Sequence, residues 1–130
     1  QYQYDILKFF PKFRIQRLEE CNVELVYHNM TIAGAFVYTI KNDDVFILMD
    51  YMAPQFRDLP RAAKLFGVRE QKFRAMNIKK LIAFSNVPVH EKYLEIVGFL
   101  RPQDGADVFE KELAPIASAS DQWHLGDPLQ

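Results

Sequence analysis

Several features that would quickly fix a function are missing from this sequence. Cysteine is nearly absent: Cys21 stands alone, so no internal disulfide can form and a reducing, cytoplasmic compartment is the expectation. Cys21 itself reads as a small buried hydrophobe rather than a nucleophile paired with a distant histidine. No apolar run approaches the roughly 18 to 20 residues that span a bilayer, and the opening Gln1-Tyr-Gln-Tyr-Asp5 is unlike a signal peptide. That opening also lacks a methionine, which reads as a piece of a longer polypeptide. Excess charge of one sign is missing too: 16 Lys and Arg stand against 17 Asp and Glu, a formal net charge of −1. This balance argues against a nucleic-acid binder relying on bulk positive charge, and leaves only a local patch for such a role. His28, His90 and His124 are far apart and lack ligand spacing with Cys21 or paired carboxylates, so no metal site is expected. No GxSxG, Walker-type or GxGxxG motif occurs.

What is present is the composition of a packed domain. The 130 residues are 49% hydrophobic and 25% charged, enough to bury a proper core. We read residues 1–115 as one domain, with an N-terminal helix over 4–21, a core over 23–113 and a loose tail over 116–130. In the N-terminal segment Ile6, Leu7, Phe9, Phe10, Phe13 and Leu18 recur at helical spacing, interrupted near Pro11. Its interleaved Lys and Arg read as a solvated face, and membrane contact is not expected.

Val23 to His28 is a β-branched and aromatic run ending at Asn29-Met30. Thr31 to Ile40 alternates, Lys41 to Asp44 is a polar turn, and Val45 to Met52 is a third strand. Short turns between them predict an antiparallel meander. A long helix follows from Asp58 to Asn77, with Asp58 as cap, Pro60 in its first turn, and Ala62, Phe66, Phe73 and Met76 as the inward stripe. Lys79 to Phe84 is a strand, Pro88 to Val97 a short helix stopping at Gly98, and Val108 to Leu113 a last strand. The strand–helix–strand passage predicts a parallel crossover on an otherwise antiparallel sheet. The fold expected is therefore α+β: a meander, then a βαβ crossover, with helices on both faces.

Two stretches carry the functional signal. In the first, Phe46-Ile-Leu-Met-Asp-Tyr-Met-Ala-Pro-Gln-Phe-Arg-Asp-Leu-Pro-Arg-Ala62, a strand exits through a basic loop into a helix, whose N-terminus favours anions. In the second, Leu81-Ile-Ala-Phe-Ser-Asn-Val-Pro-Val-His-Glu-Lys-Tyr-Leu-Glu-Ile-Val-Gly-Phe99, a strand ends near Asn86 and a helix carries Tyr93 shortly before Gly98-Phe99. Together, in this order and spacing, they resemble the acyl-CoA-binding and closing motifs of the GNAT acetyltransferases, over roughly Val23 to Leu113.

The resemblance implies an acyl-CoA-dependent N-acyltransferase that moves acetyl from acetyl-CoA to a small-molecule or protein amine. It implies that Met52 and Ala53 offer backbone groups to the pantetheine arm. Arg57, Asp58, Leu59, Arg61 and Ala62 would surround the pyrophosphate, and Asn86 would lie beside the cofactor. Tyr93 would be the general acid for the departing thiolate and Asp50 a general base. The chain departs from the family pattern at three points. Pro60 stands where a glycine is usual and removes a backbone donor, worth about 1 to 3 kcal/mol of anion binding. The second motif is one residue longer, so Tyr93 or Leu94, about 100° apart on the helix, occupies the acid position. The family's first strand is not evident. These departures keep a second expectation open: a catalytically inactive GNAT-like module for protein interaction or CoA sensing within a larger polypeptide.

Overall fold

Two asparagines set the first corners. Asn29 and Asn42 adopt left-handed φ values of 57° and 58°, which Asn tolerates because its short amide can bond locally. Each lies in a two-residue turn, so Asn22–His28 (β1), Thr31–Lys41 (β2) and Asp44–Met52 (β3) form the expected antiparallel meander. The computed structural model describes Phe10, residues 21–103 and residues 105–115. Apart from Phe10 and Cys21, the expected N-terminal helix and the tail over 116–130 lie outside the described residues.

A single turn of 3-10 helix, Pro54–Phe56, leads into helix α1, Leu59–Ala75. Strand β4 (Lys80–Phe84), helix α2 (Pro88–Ile96) and strand β5 (Val108–Glu112) complete the described chain. The five strands form one sheet in sequence order. β3 and β4 run parallel, as the helical crossover requires, and every other pair is antiparallel. α1 ends two residues earlier than its pattern suggests, because Asn77 turns left-handed at φ 63°. Gly98, at φ 102°, closes α2 while the Phe99 N–H bonds to the Leu94 carbonyl. Among the described residues, no helix is long and apolar enough to cross a membrane.

The core falls into two clusters divided by the sheet. One joins Phe36, Tyr38, Val45, Ile47, Leu81, Ala83 and Phe109 of the strands to Phe66 and Phe73 of α1 and Leu94 of α2. The other contains Val37, Met49, Tyr51, Ala53 and Phe10. Both described helices therefore serve one cluster, and Phe10 represents the N-terminal segment in the other.

The strand register explains the division. Val37 pairs with Met49 but Tyr38 pairs with Ile47, so Leu48 is an extra residue in β3. Paired residues share a face. Before the bulge Val45 and Ile47 point to the helices, whereas beyond it Asp50 does, opposite Phe36, and Met49 and Tyr51 point away. β2 accommodates this at Gly34, where a Cβ would lie 2.1 Å from the Tyr51 carbonyl oxygen.

Candidate active site

β3 pairs with β4 only from Asp44↔Lys80 to Ile47↔Ala83 and then continues alone to Met52. The two parallel strands thus diverge, and a crevice opens where their pairing ends. It contains a cavity of about 380 Å³. β3 contributes Asp50, Tyr51 and Met52 to its wall, the α1 entry contributes Arg57, Asp58, Leu59 and Ala62, and α2 contributes Val89, His90, Lys92, Tyr93 and Ile96. Phe10 completes the lining.

Of the residues that the sequence suggested, Asp50, Met52, Arg57, Asp58, Leu59, Ala62 and Tyr93 meet on this wall. Ala53, Arg61 and Asn86 are not among its lining residues. Ala53 is 1% exposed, and its backbone bonds internally, N–H to Ala33 and carbonyl to the Phe56 N–H. Asn86 is exposed between β4 and α2. The choice between Tyr93 and Leu94 resolves by packing: Leu94 is 2% exposed inside the first cluster, while Tyr93 faces the cavity.

Tyr93 and Asp50 form the centre of a network. The Tyr93 hydroxyl donates to Asp50 Oδ2 at 3.2 Å, and Arg69 of α1 donates to Oδ1 at 2.8 Å. This ion pair is buried, with side chains 5% and 8% exposed for Arg69 and Asp50. The Arg69 guanidinium lies 4.0 Å from the centre of the Phe36 ring, and its buried Nε has no partner among the described residues. Burial, then the Asp50 charge, push the Tyr93 hydroxyl far above the usual phenol range despite the opposing Arg69 charge. Tyr93 therefore keeps its proton throughout the physiological range.

His90 lies one helical turn before Tyr93, stacked on its ring at 6.4 Å between centroids and 18° between planes. It also meets Phe10 edge to face at 4.7 Å. Its Nδ1 is buried and, among the described residues, has no partner. Burial pulls its pKa below the ordinary 6.5, against the opposing pull of Asp50 and Glu91. Sequence reasoning missed both His90 and Arg69. The available signals were the three-residue step from His90 to Tyr93, and the fall of Arg69 within the apolar row Phe66, Arg69, Phe73. Met76, expected in that row, is 44% exposed beyond the helix end. Among the described residues, no group of His, Cys, Asp and Glu is arranged to hold a metal ion.

An acyl-CoA molecule can be tested against this cavity in two parts. The crevice, with its aromatic and aliphatic walls, suits a pantetheine arm carrying a thioester. The α1 N-terminus suits a diphosphate less well. Asp58 Oδ1 accepts the Arg61 N–H at 2.8 Å, and its carbonyl accepts the Ala62 N–H at 3.0 Å. Pro60 has no N–H, which leaves Leu59 as the first-turn donor for an outside anion. Asp58 also pairs with the Arg61 side chain at 3.3 Å, and Arg57 Nε donates to the Met52 carbonyl at 2.7 Å. Thus the site carries its own anion where a diphosphate would seek donors.

No family model matches the chain, and no curated protein is similar to it in sequence. Solved structures do share its architecture. GCN5 from Tetrahymena is 13% identical with a TM-score of 0.69, over 83% of this chain and 81% of that one. An acetyltransferase from Bacillus subtilis in complex with CoA is 15% identical with a TM-score of 0.63, over 87% and 91%. The PaiA N-acetyltransferase from Thermoplasma acidophilum, also in complex with CoA, is 18% identical with a TM-score of 0.62, over 75% and 66%. At these identities the likeness concerns the fold, and the fold of this chain is that of the GNAT acetyltransferases.

Proposed function

We propose that the domain transfers an acyl group, acetyl in the simplest case, from an acyl-CoA to a small-molecule or protein amine. One observation carries this reading. Tyr93 and Asp50, 43 residues apart in sequence, meet at 3.2 Å on the wall of the crevice where the parallel strands part. Acetyl-CoA would supply a thioester open to direct attack by the amine. Met52 and Leu59 would line its arm, and Arg57 would be the cation offered to the phosphates. The Tyr93 hydroxyl, protonated at neutral pH, would turn its one proton from Asp50 to the departing sulfur. Both Asp50 oxygens are engaged, by Arg69 and Tyr93. Asp50 therefore serves in this reading to orient the phenol.

Tyr93→Phe tests the reading, because it removes the hydroxyl and keeps the ring. Turnover, followed as thiol release, is expected to fall at least 100-fold, with acetyl-CoA affinity by calorimetry unchanged. Undiminished turnover would remove Tyr93 from the chemistry.

The second reading, a catalytically inactive module for protein interaction or CoA sensing, is favoured by the Asp58 cap and Pro60. Acetyl-pantetheine, which carries no phosphate, separates an absent site from a weakened grip. Equal affinity for it and for acetyl-CoA places binding in the crevice alone. Failure of both to bind at millimolar concentration would favour the inactive module.

A further inference from the structure

We propose that His90 accepts the proton shed by the attacking amine in this cavity. The argument rests on the acyltransfer reading for its chemistry but on separate observations for the site. Imidazole nitrogens in protein interiors are usually bonded, yet the buried Nδ1 of His90 has no partner among the described residues. The residue is 7% exposed and still contributes to the cavity wall. The ring thus borders the cavity while one of its nitrogens stays unbonded among the described residues.

The surroundings admit an amine: Phe10, Tyr51 and Tyr93 line the cavity together with Asp50 and Asp58, and Arg57 and Lys92 are its cations. His90 also stands in the first turn of α2, where the positive end of the helix disfavours an imidazolium. Facing it are Asp50 from β3, Arg69 from α1 through Asp50, and Glu91, Lys92 and Tyr93 from α2 itself. With burial dominant, the ring is unprotonated near neutral pH and available as an acceptor. The amine attacks in its neutral form; as its nitrogen bonds to the acyl carbon and the carbon–sulfur bond breaks, with its electron pair on sulfur, the nitrogen holds one proton too many. That N–H bond breaks, its electron pair stays on nitrogen, and the proton passes to the imidazole and then to solvent.

The test uses the folded chain with labelled histidine, n-butylamine as probe, and acetyl-CoA for turnover. Butylamine is expected to move the His90 imidazole resonances in the wild-type protein. His90→Gln should lower thiol release by roughly 100- to 10,000-fold, remove the acid limb of the pH–rate profile, and leave acetyl-CoA affinity unchanged. His90 resonances indifferent to butylamine would overturn the proposal whatever the turnover. Resonances that move in a wild-type protein releasing no thiol at any pH would overturn the acyltransfer reading, and the proton-accepting role with it, leaving an amine-binding cavity.

Discussion

Removing Arg69 would strand the Asp50 carboxylate between β3 and α1. Both side chains are more than nine-tenths buried, and an uncompensated buried charge costs about 3 to 5 kcal/mol. Arg69→Met is therefore expected to lower the unfolding free energy by that amount in urea denaturation. Arg69→Met combined with Asp50→Leu should recover most of it, since no orphaned charge remains; a double variant as unstable as the single would show that packing around Phe36 dominates. At this scale the sequence was half legible. Tyr93 and Asp50 could be named because one sits at a fixed interval before Gly98 and the other near the end of a strand. Arg69 could not, because an arginine on a helix is by default solvated and only the fold reveals what it faces. His90 was hidden by the same default, weighed in the sequence only as a metal ligand without partners.

At the scale of elements, the entry to α1 sets two effects against each other. Asp58 stabilises the helix by taking the Arg61 N–H, and it also places a negative charge where a diphosphate would approach. Asp58→Asn keeps a capping oxygen and removes the charge. Unfolding free energy should then change by only a few tenths of a kcal/mol, while acetyl-CoA binds more tightly by calorimetry. Unchanged or weaker affinity would mean that the diphosphate does not come to this helix. The cap was legible in the sequence, because Asp before a proline-bearing first turn is a local signal. So were the described strands and helices, from β1 to β5, to within one or two residues at their ends, because turns at Asn29 and Asn42 and the stop at Gly98 are local as well. The bulge at Leu48 was not. Val45, Ile47, Met49 and Tyr51 alternate without interruption, and all four are buried. The pattern reads as one face, and only the pairing with β2 shows two.

For the whole molecule, His90 links folding to pH. Its folded pKa is lowered from 6.5, so below that value the unfolded chain takes up the proton first. This contribution to stability is complete above pH 6.5 and is lost as pH falls toward the folded value. Thermal melts between pH 7.5 and 5 should show a decline that is shallower in His90→Gln. Parallel declines in the two proteins would assign the acid sensitivity to other groups. The mixed sheet could be deduced from element order, since a long helix between two strands dictates a parallel crossover. The cavity could not, because it depends on where two strands stop pairing.

The odd residue in β3 has a consequence of its own. Eight residues of β2, Gly34 to Lys41, run beside the nine of β3, Asp44 to Met52. The surplus acts as a half-turn in the strand's phase, and everything beyond it is inverted relative to plain alternation. Position 48 therefore matters as a count and hardly as a side chain: Leu48→Ser should fold and bind as the parent does. Inserting one residue between Val37 and Tyr38 would give Leu48 a partner and restore plain alternation, turn Asp50 away from Arg69 and Tyr93, and drive Met49 and Tyr51 beneath α1. One unmatched residue at a half-exposed position thus decides which side of the sheet carries chemistry and which carries only packing.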